Sequence, residues 1–156
     1  MVFEPRFLVL FFLDLKKPFF PPAQEASKEV PRPPSFSMKA EMERLQVNEE
    51  KWRLTELNRN FEMSASYPPL IYVPAQISDD TLAKAAKFRS KGRVPALTWF
   101  NSRKGNALLR SSQPNVGLAG HSSKEDQLLI EEARATLSGT HDLVIFDARS
   151  KLAAEV

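Results

Sequence analysis

Cysteine is absent from this 156-residue chain. Disulfide bonds, thiolate-bound metal ions and cysteine nucleophiles all need that residue, so the printed sequence cannot form any of them. Glycine is scarce too: the five glycines all follow residue 91, and no G-x-x-x-x-G-K-[ST] loop, G-x-G-x-x-G fingerprint or G-x-S-x-G elbow occurs. These absences exclude the common sequence motifs for nucleotide binding and for serine nucleophiles.

Long apolar runs are missing as well. The longest uninterrupted run covers residues 7–13, far fewer than the roughly 20 residues of a membrane-spanning helix. Glu4 precedes Arg6 and Asp14 ends the run, which is not the basic start and small-residue cleavage site of a secretory signal. Neither a transmembrane helix nor secretion is therefore expected.

Proline divides the chain into two parts of different character. Seven of the twelve prolines lie within the first 34 residues, and each biases the residue before it away from helix. We therefore predict that residues 1–36 form an apolar start and a disordered proline-rich linker, and that residues 37–156 form a domain. Pro31 and Pro34 have the spacing of an SH3 ligand, although a plain spacer is the simpler interpretation.

Beyond residue 37 the sequence pattern predicts helices and strands in alternation. Ser78 is a candidate N-cap because acidic residues follow it in the first turn, and Ser122 and Glu125 stand at capping-box spacing. The predicted elements are helix 38–45, strand 70–73, helix 78–90, strands 94–100 and 107–111 as a hairpin, helix 124–137 and strand 143–146, the last buried on both faces. This order indicates an α/β or α+β domain.

Positive charge is concentrated in one stretch, although the formal net charge of +3 is too small to indicate a nucleic-acid partner. Residues 81–124 contain nine Lys or Arg residues and no Asp or Glu. Lys84, Lys87 and Lys91 would share one face if their helix persists. Two interpretations stay open: a solvated basic surface, or a face presented to anionic lipid or phosphate.

Catalytic and metal-binding patterns are sparse. Asp147 follows a predicted strand, where open α/β sheets place functional groups, but an aspartyl phosphotransfer site would have a second Asp where Arg149 stands. We therefore expect the Asp147 carboxylate to pair with Arg149 or with a neighbouring turn. His121 and His141 lack a second metal ligand at helical spacing. No catalytic, metal-binding or cofactor-binding residue is assigned, and no cofactor is expected.

Several tracts, in chain order, resemble a known family. They are WRLTELNRNFEM (residues 52–63), Tyr67-Pro68 with Val73-Pro74, FRSKGRVPALTW (88–99), RSSQPNVGLAG (110–120), KEDQLL (124–129) and DARSK (147–151). Together they are similar to signature tracts of the myotubularin family of phosphoinositide 3-phosphatases. The resemblance covers roughly residues 38–156.

The resemblance implies an α/β domain of the cysteine-phosphatase superfamily that acts on phosphatidylinositol 3-phosphate and its 3,5-bisphosphate. It also implies a cytoplasmic protein peripheral to endosomal membranes, with phosphoinositide-containing membranes and other myotubularins as partners. In such enzymes a thiolate in a Cys-x5-Arg loop attacks phosphorus at a helix N-terminus. That loop has no counterpart in this sequence, and Ser150 and Ala153 replace the proline and asparagine that are usual after the D-x-R tract.

We therefore expect an incomplete phosphatase domain that is not itself catalytic, from a truncated product or an incomplete gene model. The alternative is a pseudophosphatase-like regulator or membrane-surface adaptor that pairs with an active family member. A final strand at 143–146 without covering elements also leads us to expect low stability of the isolated chain.

Overall fold

A six-stranded mixed sheet organises the computed structural model, which describes residues 7–12, 37–116, 120–137 and 142–149. Its elements are, in chain order, β1 (Phe7–Phe12), α1 (Met38–Arg44), β2 (Trp52–Thr55), β3 (Ile71–Pro74), α2 (Asp79–Phe88), a 3-10 turn (Ser90–Gly92), β4 (Ala96–Asn101), β5 (Asn106–Ser111), α3 (Lys124–Ala135) and β6 (Asp142–Asp147). The strand order is β2-β3-β4-β5-β1-β6. Neighbouring strands are antiparallel from β2 to β5, and β1 lies parallel to both β5 and β6. The mixture of helices and sheet agrees with the predicted α/β class.

From β3 to β6 the predicted order of strand, helix, hairpin, helix and strand is confirmed. Ser78 caps α2 as predicted, since its Oγ accepts a hydrogen bond from a first-turn N–H at 3.2 Å. The predicted cap of α3 is wrong by one residue: Ser123, not Ser122, accepts from the Asp126 N–H at 3.2 Å. The Ser123 hydroxyl also donates to the Glu125 carboxylate, so Glu125 does not form the predicted capping box.

The sequence patterns miss the strands β1 and β2. Residues 7–12 pair in parallel with β5 and β6, so the prediction of disorder over residues 1–36 is wrong for β1. A short apolar run is typical of a strand in the middle of a sheet, but its length alone does not distinguish it from other apolar segments. In β2 the two end residues, Trp52 and Thr55, are buried, which leaves no alternating pattern. The following predicted features lie outside the described residues: the linker over 13–36, His141 and residues 150–156.

Strand β6 differs from the predicted strand buried on both faces. Ile145 and Phe146 are each 51% exposed. The reason is position, because β6 ends the strand order and, in the described part of the chain, pairs only with β1. Apolar side chains on such an edge strand keep part of their surface in water unless another element covers them.

Two apolar clusters pack against the sheet. In β3, Ile71 and Val73 belong to one cluster and Tyr72 to the other, as the alternation of side chains along a strand requires. The first cluster includes Leu82 of α2, and the second includes Trp52 of β2; both side chains are almost completely buried. Because burial of a large apolar side chain contributes about 1.5–3 kcal/mol, the two clusters stabilise the sheet from both faces.

The chain turns sharply between α2 and β4. Lys91 and Gly92 adopt left-handed backbone conformations with φ of 55° and 66°. Helix α2 ends before this turn, so Lys91 does not share a helix face with Lys84 and Lys87, contrary to the prediction. A Cβ on Gly92 would lie 1.9 Å from the Met63 carbonyl oxygen, so no larger residue fits unless the backbone moves.

We predict that Gly92→Ala lowers the free energy of unfolding by about 3 kcal/mol or more, because left-handed strain adds to a clash with backbone. Gly120→Ala is the matched control: Gly120 has a φ of 65°, but an added Cβ would meet nothing within 4 Å. Only the strain of about 1–2 kcal/mol remains there. Urea unfolding of the three proteins, followed by circular dichroism, measures both losses. Equal losses would contradict the close approach at Gly92.

Candidate functional site

A buried ion pair between Arg89 and Asp126 lies where α2, α3 and the end of β5 meet. Arg89 Nε and Nη2 donate to the two carboxylate oxygens of Asp126 at 2.6 and 2.7 Å, and Nη1 donates to the Ser112 carbonyl oxygen at 2.9 Å. Arg89 and Asp126 are only 4% and 6% exposed. A buried pair needs such bidentate geometry and additional hydrogen bonds to offset the desolvation of two charges.

This junction brings together tracts that are distant in sequence. Arg89 directly follows α2, Ser112 directly follows β5, and Asp126 lies in the first turn of α3, where a carboxylate also favours the helix dipole. The backbone adds a further connection, since the Ser90 N–H donates to the Gln113 carbonyl at 3.0 Å. The FRSKGR, RSSQP and KEDQLL tracts therefore meet at one place.

Serine hydroxyls reinforce the junction from the β5 side. Ser111 Oγ donates to the Arg93 carbonyl oxygen at 3.1 Å, and Ser112 Oγ donates to the Ser90 carbonyl oxygen at 2.7 Å. Both serines are buried. Because their protons hold the backbone together, neither hydroxyl is placed to attack a substrate.

Tyr67 lies beside the same junction and is buried. Its hydroxyl is 2.9 Å from the Val94 carbonyl oxygen and 2.8 Å from that of Arg110, and it donates its proton to these acceptors. Burial raises the pKa of the Tyr67 hydroxyl above its ordinary value, although the guanidiniums of Arg110, Arg93 and Arg89 act in the opposite direction. Tyr67 is therefore a neutral structural donor and not an acid or base at physiological pH.

Asn58 fixes the loop that leads to Tyr67, and it is completely buried. Its Nδ2 protons are shared among the carbonyl oxygens of Ser64, Tyr67 and Pro68 at 2.9, 3.1 and 2.9 Å, and its Oδ1 accepts from the Ser64 N–H at 2.9 Å. No role for Asn58 was predicted from the sequence. The sequence signal for Asn58 was a short polar residue within the WRLTELNRNFEM tract. Hydrophobic periodicity alone does not assign a role to such a residue.

Asp147 pairs with Arg149, the first of the two predicted alternatives. Arg149 Nε and Nη2 donate to the Asp147 carboxylate, with a shortest distance of 2.6 Å, and Nη1 donates to Gln113 Oε1 at 2.6 Å. The hydrogen bond from Arg149 is the main reason that the pKa of the Asp147 carboxyl lies below its ordinary value. Asp147 is thus held as a paired carboxylate at neutral pH, which suits a structural role.

Metal ligands do not converge in the described residues. His121 is exposed, and no group of three or more His, Cys, Asp or Glu side chains within the described ranges could hold a metal ion. Among the helices that the structure describes, none has the length and apolar character required to cross a bilayer.

The predicted basic face is divided between solvent and interior. Lys84 Nζ lies 2.8 Å from an acidic side chain on the same helix. Lys87 and Lys91 are exposed and form no ion pair within the described part of the chain. Arg89 and Arg93, from the same basic stretch, are buried. The stretch therefore contributes two different features, exposed lysines and buried guanidiniums.

A cavity of about 280 Å³ opens beside Tyr67. Its wall is mostly apolar and includes Ile71, while Arg110 contributes a cationic group. Glu41 also lines the cavity, but Arg44 donates two hydrogen bonds to its carboxylate, at 2.8 and 2.7 Å. A small ligand in this cavity would contact both an apolar wall and a guanidinium.

Comparison with known proteins points to one family. A family model described as myotubularin-like phosphatase domain matches residues 17–156. The chain is 37% identical over 119 residues to myotubularin of Xenopus laevis, an alignment that covers 76% of this chain and 20% of that protein. It is 39% identical over 114 residues to phosphatidylinositol-3,5-bisphosphate 3-phosphatase MTMR2 of Mus musculus, covering 73% of this chain and 18% of that protein. The chain thus spans about a fifth of the length of these curated relatives.

The family match contains every tract on which the predicted resemblance rests. It begins at residue 17, earlier than the predicted start near residue 38, and therefore includes part of the segment that the sequence analysis interpreted as a linker.

We predict that Arg89→Met and Asp126→Asn each lower the free energy of unfolding by about 3 kcal/mol or more, because each leaves the other group buried and charged without its partner. The double variant should lose less than the sum of the single losses. Urea unfolding of all four proteins gives the coupling. Arg44→Met, which breaks the exposed pair with Glu41, is the control and should change stability little. Strictly additive losses would contradict a coupled pair.

Proposed function

The chain belongs to the myotubularin family, and on that premise we propose that it builds the scaffold side of a phosphoinositide 3-phosphatase domain. The proposed fold is cysteine-phosphatase-like, and this chain supplies part of it. The proposed substrate class is 3-phosphorylated phosphatidylinositol, including the 3,5-bisphosphate for which MTMR2 is named. The proposed location is the cytoplasm, peripheral to endosomal membranes.

The Arg89–Asp126 pair is the observation that carries this proposal. It connects three of the tracts by which the chain resembles its family, and each tract contributes a group at hydrogen-bonding distance. The hydrogen-bond donors of this buried junction are already engaged, so its role is to position strands and helices. It leaves no proton available for chemistry on a substrate.

We propose that the printed 156 residues do not hydrolyse phosphoinositides by themselves. The cysteine-phosphatase reaction begins with attack of a thiolate on phosphorus, and the chain has no cysteine. The other nucleophilic groups near the junction are engaged: the Ser111 and Ser112 hydroxyls donate to backbone, and Asp147 is paired with Arg149. Catalysis would accordingly require groups that these residues do not supply.

The purified chain should release no phosphate from vesicles containing phosphatidylinositol 3-phosphate or the 3,5-bisphosphate, with mouse MTMR2 as the positive control in the same assay. A chimera of MTMR2 in which residues 38–149 of this chain replace the matching segment should remain active, because the segment is proposed to act as scaffold. Asp126→Asn in the chimera should reduce the yield of folded enzyme more than the turnover of the folded fraction. Phosphate release by the chain alone, or a folded but inactive chimera, would contradict the proposal.

A pseudophosphatase-like regulator or membrane-surface adaptor, pairing with an active family member, is the second candidate function. The exposure of Lys87 and Lys91 favours it, since each Lys close to an anionic leaflet contributes about 1 kcal/mol to binding. Such binding weakens with ionic strength because salt screens exposed charges.

The adaptor function predicts that the chain co-sediments with phosphatidylserine vesicles at low salt and is released at high salt. Lys87→Glu with Lys91→Glu should reduce the bound fraction at least fivefold. Lys39→Glu with Arg59→Glu makes the same change in net charge on other exposed parts of the chain and is the matched control. Absence of binding at low salt, or an equal loss in both double variants, would remove this candidate.

A further inference from the structure

Arg110 is a half-buried guanidinium that forms no ion pair with a carboxylate in the described part of the chain. Its Nε is enclosed by protein atoms and has no hydrogen-bond partner. The guanidinium carbon lies 5.9 Å from the centroid of the Tyr67 ring, a cation–π contact that offsets part of the charge. The two terminal nitrogens donate no hydrogen bond within the described residues, so a ligand can still use them.

The cavity beside Tyr67 lies at a weakly paired point of the sheet. In the described sheet, strands β3 and β4 share one residue pair, Tyr72 opposite Leu97. Ile71 lines the cavity from β3, and Ala96 and Leu97 line it from β4. All three of these lining side chains are buried members of the two apolar clusters. Because the core fixes their positions, the cavity exists before a ligand binds, and little ordering entropy is lost on binding.

Most polar side chains that line the cavity are already engaged. The Tyr67 hydroxyl donates to backbone carbonyl oxygens, and the Thr98 hydroxyl donates to another at 2.9 Å. The Glu41 carboxylate accepts two hydrogen bonds from Arg44, at 2.8 and 2.7 Å. Arg110 is the remaining polar residue among the described lining residues, so the cavity offers a ligand one cationic donor and an apolar wall.

We propose that this cavity binds a small apolar monocarboxylate, with the carboxylate on the terminal N–H groups of Arg110 and the hydrocarbon part against Ile71 and Leu97. Paired guanidinium N–H groups match the two oxygens of a carboxylate. One guanidinium balances one negative charge, and a second negative charge would lie against an apolar wall, where it is costly. The volume of about 280 Å³ suits a molecule of a few carbon atoms. The site is independent of the proposed scaffold function, because it involves no chemical step.

The test first compares three ligands on the native 156-residue chain. Hexanoate has a charge and a hydrocarbon part, hexanamide has the same hydrocarbon part without the charge, and acetate has the charge with almost no hydrocarbon part. At constant ionic strength, hexanoate should stabilise the folded chain by RT ln(1 + [L]/Kd) and so raise its unfolding temperature. Hexanamide and acetate should need concentrations about tenfold higher or more for the same rise. Broadening of the hexanoate methyl signal in NMR spectra gives the Kd independently.

Variants of Arg110 test the cationic side of the site. Arg110→Met should raise the Kd for hexanoate by about tenfold or more, because it removes charge-assisted hydrogen bonds, and should leave the Kd for hexanamide unchanged. Arg110→Lys keeps the charge without the planar fork and should retain part of the affinity. Arg103→Met removes an exposed cation from the β4–β5 hairpin and is the matched control, which should bind hexanoate as the native chain does.

A cavity-filling variant tests the apolar side. Thr98 lines the cavity and is exposed, so Thr98→Phe should leave the fold intact and weaken hexanoate and hexanamide alike. Circular dichroism verifies that each variant is folded. The proposal is overturned by a native chain that does not bind hexanoate, by equal affinity of the native chain for hexanoate and hexanamide, or by unchanged hexanoate binding in folded Arg110→Met or Thr98→Phe. The ligand comparison on the native chain decides the matter even where a variant fails to fold.

Discussion

The bidentate contact between Arg89 and Asp126 is the constraint on which the arrangement of the other elements depends. Two charges with such low exposure are tolerated only when their hydrogen bonds are made. Those hydrogen bonds fix three points of the chain relative to one another: the end of α2, the start of α3 and the end of β5. The left-handed turn at Gly92 comes three residues after Arg89. It returns the chain from Arg89 to β4 and places the Arg93 carbonyl where the β5 serines donate to it.

Arg89 and Arg93 show how two neighbouring, equally buried guanidiniums acquire different physical roles. The first is neutralised and contributes to stability through its fixed partners. The second keeps an unpartnered Nε in a region whose remaining hydroxyls are already committed to backbone. In the sequence, Arg89 and Arg93 are both members of one basic stretch. Only the three-dimensional arrangement separates the neutralised group, the unpartnered group and the lysines that remain in water.

The parts of the fold that could be predicted from sequence are those with local causes. The Ser78 cap, the β4–β5 hairpin and the Asp147–Arg149 pair all depend on residues close together in the chain. The Arg89–Asp126 pair was not predicted because its partners are 37 positions apart and no periodicity connects them. The end of α2 was misjudged because Arg89, the residue after its last turn, is extended and pairs with Asp126, which is a tertiary contact. The family tracts identified the regions that meet at the junction, but not the contacts between them.

The position of β1 has a consequence for how the chain folds. Its residue Leu8 pairs with Ala107 on one side and with Leu143 on the other, so the strand lies between partners that are synthesised much later. Contacts of such large sequence separation slow folding, because loop closure must precede any gain from pairing. During synthesis the apolar segment from Phe7 to Phe12 must therefore wait unpaired until β5 has emerged. Chaperone binding to that segment would protect the nascent chain from aggregation over this interval.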